Sequence, residues 1–392
     1  MALAETFHKL AIADSIKEQM DQFHRPEPFV PGKTRIPLNV PTYGPEEVVE
    51  ALESLMSGWV TMGKKVKAFE ELWARYCGVK HAVMTNSGSS ANLLALSALK
   101  GIGLSAGAEI ITPALTWATT VFPIAQAGYV PVLVDVDRGT YNINPEAAAA
   151  AITRKTKAIM PVHLLGNPCD MEPLLYLAKK HDLYIIEDAC EAHGAEYQLR
   201  KVGGFGRAAT FSFFFSHHIS TIEGGMVVTN DAEVADVCRS MRAFGWIREM
   251  PDRKAIALQY PDVDERFLFA YPGYNFRPTE IGGAFGIHQV PKLEGFIQTR
   301  GENATYWNSE FARYSNWLNP PKATTGARHV WFAYPVQVRP GAPFTKQELQ
   351  NHLEVMGVET RPIEAGNMVF QPAMFEIPWR LGGEVPNAAY IH

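Results

Sequence analysis

Ala82-Val83-Met84-Thr85-Asn86-Ser87-Gly88-Ser89-Ser90-Ala91-Asn92 is the stretch whose reading decides the architecture. A short apolar, β-prone run breaks at Asn86-Ser87-Gly88, and the residues from Ser89 to Leu99 are apolar at helical spacing. Strand, turn, helix is the reading. The unit recurs along the chain. Glu109–Thr112 reads as a strand and Trp117–Ala127 as a helix; Val132–Asp135, Ala158–Val162 and Tyr184–Glu187 are further β-rich runs with helical stretches between them. Strands alternating with helices imply a mostly parallel sheet covered on both faces, the α/β class.

Upstream of this unit, residues 1–25 read as a polar amphipathic helix, followed by a Pro-rich linker from Arg25 to Gly32. The pattern from about Gly44 to Gly78 is helical. Downstream, two helical stretches run from Pro278 to Tyr314, and residues 330–365 carry a strand–helix–strand pattern that marks a smaller C-terminal unit. The expected division is an N-terminal helix and linker over 1–35, a large domain over 36–277, and connecting helices with a small domain over 278–392. The final residues, Asn387 to His392, read as the opening of a helix, which suggests that a natural tail is lacking.

A chain of 392 residues exceeds what one small core needs. Hydrophobic residues at 47% and charged residues at 20% suit an ordinary globular enzyme. The net charge of −5 gives no global reason to bind nucleic acid, although local basic residues can meet a nucleotide diphosphate. Cys77, Cys169, Cys190 and Cys238 form no close pair, so zinc and redox motifs find no support and reduced, buried thiols are expected. No apolar run has signal-peptide or membrane-spanning character, so a cytoplasmic enzyme without a membrane partner is expected.

Several segments carry candidate chemistry. Asn86–Asn92 places small hydroxylated residues at a helix N-terminus, where free N–H groups and the helix dipole suit a phosphate; an ordinary N-capping serine looks the same. Ile185-Ile186-Glu187-Asp188 puts acids at the carboxyl end of a buried-type strand, where open α/β sheets bind ligands. An aspartate there can pair with a protonated pyridine nitrogen, or simply cap a helix. Trp117, just past another strand end, suits stacking on a flat ring or a place in the core. Phe213–Gly225 carries His217 and His218, and an unperturbed imidazole titrates near neutrality and can move protons. Adjacent residues in a strand point to opposite faces, so a shared metal ion is not expected, and His218 reads as structural.

Taken in order, Ser87-Gly88-Ser89-Ser90-Ala91-Asn92, Pro113-Ala114-Leu115-Thr116-Trp117, His163–Pro168, Glu187–Gly194, Ser216-His217-His218-Ile219 and Gly273–Pro278 resemble the DegT/DnrJ/EryC1/StrS family, from about residue 35 onward. The resemblance implies pyridoxal 5'-phosphate (PLP) as cofactor. It also implies the type I fold of aspartate aminotransferase: a large, mixed, mostly parallel sheet domain plus a smaller C-terminal α/β domain, in a homodimer with shared active sites. Sugar aminotransferases of the family carry a lysine where His217 stands. His-His-Ile followed by Glu223-Gly224-Gly225, with Arg361-Pro362 and Gly366-Asn367, is similar instead to the 3-dehydratases of nucleotide-linked 4-keto-6-deoxyhexoses in deoxysugar and lipopolysaccharide O-antigen biosynthesis. One subgroup acts on GDP sugars without iron. The other acts on CDP sugars with a [2Fe-2S] cluster and a reductase partner. Only Cys238 follows the histidine segment, and one cysteine cannot hold a cluster that wants four. The iron-free GDP type, without a reductase, is therefore favoured, while Pro28–Gly32 looks more like the CDP type and keeps that nucleotide open.

Carried over residue by residue, the resemblance puts Asp188 on the pyridine nitrogen, Glu191 near the ring hydroxyl and Trp117 on the ring face. Gly88, Ser89, Ser90 and Ser212 would hold the phosphate, joined by Asn275 from the partner subunit. Arg361 is expected at the carboxylate of the amino donor, L-glutamate; Arg248 and Asn367 are expected at the nucleotide-sugar substrate. His217 is the expected catalytic base, with no metal. The cofactor would alternate between PLP and pyridoxamine 5'-phosphate, releasing 2-oxoglutarate, ammonia and a 4-keto-3,6-dideoxy sugar. One departure is Phe244, in Arg242-Ala243-Phe244-Gly245, where a GDP-sugar relative carries histidine. A sugar aminotransferase with its lysine changed to histidine and a catalytically silent PLP-binding protein are the rival readings.

Overall fold

The computed structural model describes residues 2–23 and 28–392, with side chains in the first helix from Ile12 to Asp21 and Gln22. Met1 and the linker residues Arg25, Pro26 and Glu27 of the expected N-terminal segment lie outside the described residues. The first helix, α1, spans Ala2–Phe23, and α2 (Pro45–Ser57) and α3 (Lys64–Cys77) occupy the stretch read as helical. Both α2 and α3 end on a left-handed glycine, Gly58 and Gly78, which stops each helix without steric cost.

Strands β1 (His81–Thr85), β2 (Glu109–Pro113), β3 (Val130–Val134), β4 (Thr156–Ile159) and β5 (Tyr184–Asp188) match the β-rich runs. Then come a short ribbon, β6 (Glu196–Tyr197) and β7 (Arg200–Lys201), and the longer β8 (Ala208–Ser212) and β9 (Gly225–Thr229). Short strands β10 (Leu318–Asn319), β11 (Ala327–Arg328), β12 (Gln337–Val338) and β13 (Arg380–Leu381) follow. Eight of these form one sheet in the order β1-β9-β8-β5-β4-β2-β3-β13. Its neighbours pair in parallel except at β9, which is antiparallel to both β1 and β8.

Successive residues of each strand enter different cores, as a period of two requires. Ile110, Ala158, Ile186 and Ala208 pack with α4 (Gly88–Gly101) and the helix Ala232–Arg242 on one face. Ile111, Ile159 and Ile185 pack on the other face with the helix Met171–His181. Coverage on both faces explains why these strands read as apolar runs without polar alternation.

Two readings are corrected. The strand–helix–strand pattern over 330–365 yields β12 and the helix Lys346–Val355, but its last strand reduces to a single bridge between Val358 and Ile36 after a left-handed turn at Gly357. His217 and His218 do not lie in a strand: β8 ends at Ser212 and the chain from Phe213 to Gly224 is irregular.

The parallel strands β1, β2, β4, β5 and β8 share one direction, so Thr85, Pro113, Ile159, Asp188 and Ser212 end at the same edge of the sheet. Every cofactor and catalytic segment except the Asn275 region follows one of these ends or comes from the C-terminal part of the chain.

Candidate active site

At the first of these ends, Ser87 caps α4: its hydroxyl accepts from the Ser90 amide at 3.1 Å and donates to the Ser90 hydroxyl at 2.9 Å. The amides of Gly88 and Ser89 begin the helix and have no preceding turn to bond to. A Cβ at Gly88 would lie 2.5 Å from Cβ and 2.8 Å from Oγ of Ser212, so the helix start and the end of β8 touch where only glycine fits. Gly88, Ser89, Ser90 and Ser212 thus surround one concave spot lined by amides and hydroxyls at the positive end of a helix. A phosphate suits it.

β5 ends in two acids with different environments. Glu187 accepts from the amides of Gly203, Phe205 and Gly206 at 2.7 to 2.8 Å and lies 3.2 Å from Nε2 of His163. Because Nδ1 of His163 accepts from the Cys169 amide, Nε2 is the protonated nitrogen and donates to Glu187. Glu187 is consumed by the fold. Asp188, also buried, faces the ligand edge: Oδ2 accepts from Nδ2 of Asn92 at 2.9 Å and Oγ1 of Thr120 at 2.8 Å, and Oδ1 accepts from the Cys190 amide at 3.1 Å. Asn92 lies one turn into α4, and Thr120 lies in the first turn of α5 (Ala118–Gln126). Two helices therefore fix this carboxylate.

Beyond β8, His217 and His218 diverge. His218 is fully buried and donates from Nε2 to the Val330 carbonyl at 2.9 Å. The His217 ring packs 5.1 Å from Phe332 and 5.9 Å from the buried ring of His193, which in turn lies 5.5 Å from His218. Burial, reinforced by the charges of Arg361 and Arg300, pushes His217 down to about 4. Burial holds His193 and His218 well below the ordinary imidazole value too. His217 is accordingly a free base at neutral pH.

Glu191 accepts from the Leu165 amide at 2.7 Å, and burial together with neighbouring Glu364 holds it well above the ordinary carboxyl range, so it is protonated. Trp117 caps α5 with its side chain half exposed. Arg361 is exposed and close enough for its charge to act on His217. Asn367 is fully buried and bridges to Leu115, two residues before Trp117; its side-chain oxygen caps the turn Met368–Phe370. Arg248 and Asn275 neither hydrogen-bond to nor stack on these residues within one chain. Arg248 lies 4.0 Å over the Trp246 ring and donates to the Arg266 carbonyl, while the exposed Asn275 accepts from Arg277 at 3.1 Å. Phe244 packs between Arg277, 4.7 Å over its ring, and Trp246.

Residues 41–392 match the DegT/DnrJ/EryC1/StrS aminotransferase family. The chain belongs to that family. It is 39% identical over 361 residues to GDP-4-keto-6-deoxy-D-mannose 3-dehydratase of Yersinia pseudotuberculosis, covering 91% of both chains. It is 37% identical to GDP-perosamine synthase of Caulobacter vibrioides, covering 84% of both. A solved structure of GDP-4-keto-6-deoxymannose-3-dehydratase with a trapped PLP–glutamate geminal diamine superposes with TM-score 0.85 at 36% identity, covering 91% of this chain and 93% of that one.

The residues present fit the family's cofactor, PLP. The glycine-only cradle at Gly88 suits its phosphate, buried Asp188 suits a protonated ring nitrogen, and the open face of Trp117 suits the ring. The residues that motif reading passed over are Asn92 and Thr120, which hold Asp188, and His193, Phe332 and Glu364, which surround His217 or Glu191. Asn92 and His193 lie inside quoted motifs. Phe332 and Glu364 lie far away in sequence and carry no local signal.

A family member built this way should be acid-labile. His193, His217, His218 and His329, the last pushed by burial to about 3, all bind protons more weakly folded than unfolded. Their contribution is fully present above the unfolded value, about 6.5, and is lost as pH falls from there toward 4. Each buried histidine loses about 2 kcal/mol over 1.5 pH units. Raised Glu191 acts with the opposite sign but is outnumbered. The melting temperature should drop by roughly 5–10 °C between pH 6.5 and 5; a flat profile over that range would show that these rings are not held neutral.

Proposed function

We propose that this protein is a PLP-dependent 3-dehydratase that removes the C3 hydroxyl of a nucleotide-linked 4-keto-6-deoxyhexose, using L-glutamate as amino donor and a GDP sugar as substrate. The observation that carries this reading is His217: a neutral imidazole at the ligand edge, in a segment from Phe213 to Gly225 that holds no lysine. Identity alone does not separate the two chemistries, since an aminotransferase-type relative, GDP-perosamine synthase, is nearly as similar as the dehydratase. A histidine where the resemblance expects an aminotransferase lysine supports the dehydratase.

When bound, PLP supplies an electron sink for the carbon acids attached to it. Asp188 keeps the ring nitrogen protonated through a charge-assisted hydrogen bond. Protonated Glu191 donates toward the ring hydroxyl, Trp117 covers one ring face, and the Gly88–Ser90 turn with Ser212 holds the phosphate. Arg361 binds the carboxylate of glutamate. His217 would act as the base on the carbon acid that the bound cofactor activates, and would return that proton to the C3 oxygen as water departs. A positioned base of this kind contributes about 100- to 10,000-fold, roughly 3–5 kcal/mol of barrier.

Arg248, Asn367 and Asn275 complete the proposed site, with Asn275 reaching it from the partner subunit of a homodimer. Exposed Phe214, Phe215 and Ile222, carried by the segment that holds His217, support a covered face there. The proposed organisation keeps 1–35 as N-terminal helix and linker, 36–277 as the PLP-binding domain and 278–392 as connecting helices with the small domain, in a cytoplasmic enzyme without an iron–sulfur cluster or reductase. No helix among the described residues is long and apolar enough to cross a membrane.

Incubation with L-glutamate and either GDP- or CDP-4-keto-6-deoxyhexose tests this. The expected product is lighter than the substrate by one oxygen atom, with ammonia and 2-oxoglutarate released in equal amounts and the GDP sugar preferred. An aminated sugar that keeps its C3 hydroxyl would overturn the dehydratase in favour of an aminotransferase. The absence of glutamate-dependent turnover would leave a silent PLP-binding protein.

A further inference from the structure

Arg300 is a cation that motif reading passed over. It lies on the helix Leu293–Phe311, partly buried, and forms no ion pair among the described residues. Its Nη1 donates to the carbonyls of both Trp331 and Phe332, at 2.9 Å each. Those carbonyls belong to an awkward turn: Trp331 adopts a left-handed φ of 52°, which costs a bulky residue energy that its surroundings must offset. The turn is also tied from the other side, where the Val330 and Phe332 amides donate to the carbonyls of Gly166 and Leu165 at 2.9 Å.

What the turn carries explains the investment. Val330 accepts the hydrogen bond that fixes His218, and the Phe332 ring lies 5.1 Å from His217 and 5.8 Å from His218. Releasing these two carbonyls removes one of the two sets of bonds that hold the turn and so loosens the surface against which His217 rests.

We propose that Arg300 is a positioning residue for the reaction: by clamping the Trp331 and Phe332 carbonyls it holds Phe332 and Val330 against the His217-His218 pair, so that the His217 imidazole keeps one orientation toward the substrate. This rests on the reading of His217 as the base. Electrostatics act in the same direction. With no carboxylate to neutralise it, the guanidinium helps keep His217 and His218 deprotonated, and burial lowers its own pKa. The charged and titratable groups around His217 are Arg300 from the helix, Arg361 from the C-terminal part, His193 after β5 and His218 beside it. Arg300 is the member of this set that joins the mechanical and the electrostatic roles.

Arg300→Met and Arg300→Lys, assayed beside His217→Asn, test the proposal. Arg300→Met should lower kcat about 10- to 100-fold with the sugar KM within about threefold, because misplacing a catalytic group costs rate more than binding. Losing the positive charge should also raise the His217 titration midpoint by roughly 0.5–1 unit, read from the acid limb of kcat/KM and from NMR of histidine-labelled protein without cofactor. Arg300→Lys should leave that midpoint in place yet keep kcat low, since an ammonium does not reproduce the planar fork that reaches both carbonyls. A melting curve for each variant gives the folded fraction to which rates are normalised. Wild-type kcat per folded molecule in both variants, or a midpoint that Arg300→Met does not move, overturns the proposal. If His217→Asn is inactive while the Arg300 variants behave as wild type, this inference falls alone. If His217→Asn is active, the reading beneath it falls.

Discussion

His217→Asn should nearly stop dehydration, lowering kcat by about 100- to 10,000-fold, the contribution of one positioned general base. Asparagine has a similar reach and polarity but cannot accept and return a proton. The fold should tolerate the change. The Nδ1 atom of His217 has no hydrogen-bond partner among the described residues, and what is lost is mainly the ring's packing on Phe332, His193 and Phe214. The variant should therefore still bind PLP, visible as bound cofactor absorbance, while a mass assay shows the sugar unchanged. Retention of most of the wild-type rate would remove His217 from the mechanism and return the search for the base to the other groups at the sheet edge.

Asp188→Asn should have the second largest effect, a loss of about 10- to 100-fold in kcat, corresponding to one buried charge-assisted hydrogen bond of roughly 1.5–3 kcal/mol. The side-chain volume is preserved, but the pattern of donors is not. Asn92 and Thr120 both donate to Oδ2, and the Cys190 amide donates to Oδ1. An asparagine can satisfy the first pair only by turning its own NH2 toward the Cys190 amide and the ligand. That arrangement sets a donor against a protonated ring nitrogen and favours the neutral ring, a poorer electron sink. Kinetics combined with the absorption spectrum of the bound cofactor check this. Unchanged kcat and spectrum would mean that the Asp188 carboxylate does not face the ring.

The two predictions differ in how much of their basis was legible in the sequence. The strand–turn–helix at Ala82–Leu99 announces both the sheet class and the capped helix start beside Ser212, because each signal is local: a β-prone run, a turn with a capping serine, and a helix apolar at its own period. The ordered motifs likewise led to the family that the comparisons then showed. By contrast, β8, β9 and the helix Ala232–Arg242 went unassigned. Ala208–Ser212 and Gly225–Thr229 are short, and what makes them central strands is pairing with β5 and β1, which are distant in sequence. The antiparallel direction of β9 brings Gly225 against Ser87, where a Cβ would meet the Ser87 carbonyl oxygen.

By itself, then, the sequence determined the α/β class, the serine-capped turn at the start of α4, the two acids at the end of β5 and the histidine in place of a lysine. Those features depend on neighbours within a few residues. Only the tertiary structure decided how the two acids differ in setting, since Glu187 is taken up by the Gly203, Phe205 and Gly206 amides while Asp188 meets Asn92 and Thr120. It also decided the lowered proton affinities of His217 and His218 and the hydrogen bond that His218 gives to Val330. Those states come from burial, from the arginines at 300 and 361 and from the Val330–Phe332 turn, segments that approach the site only after the chain has folded. Proton affinity in an interior is set by desolvation and by nearby charge, and both are properties of long-range packing.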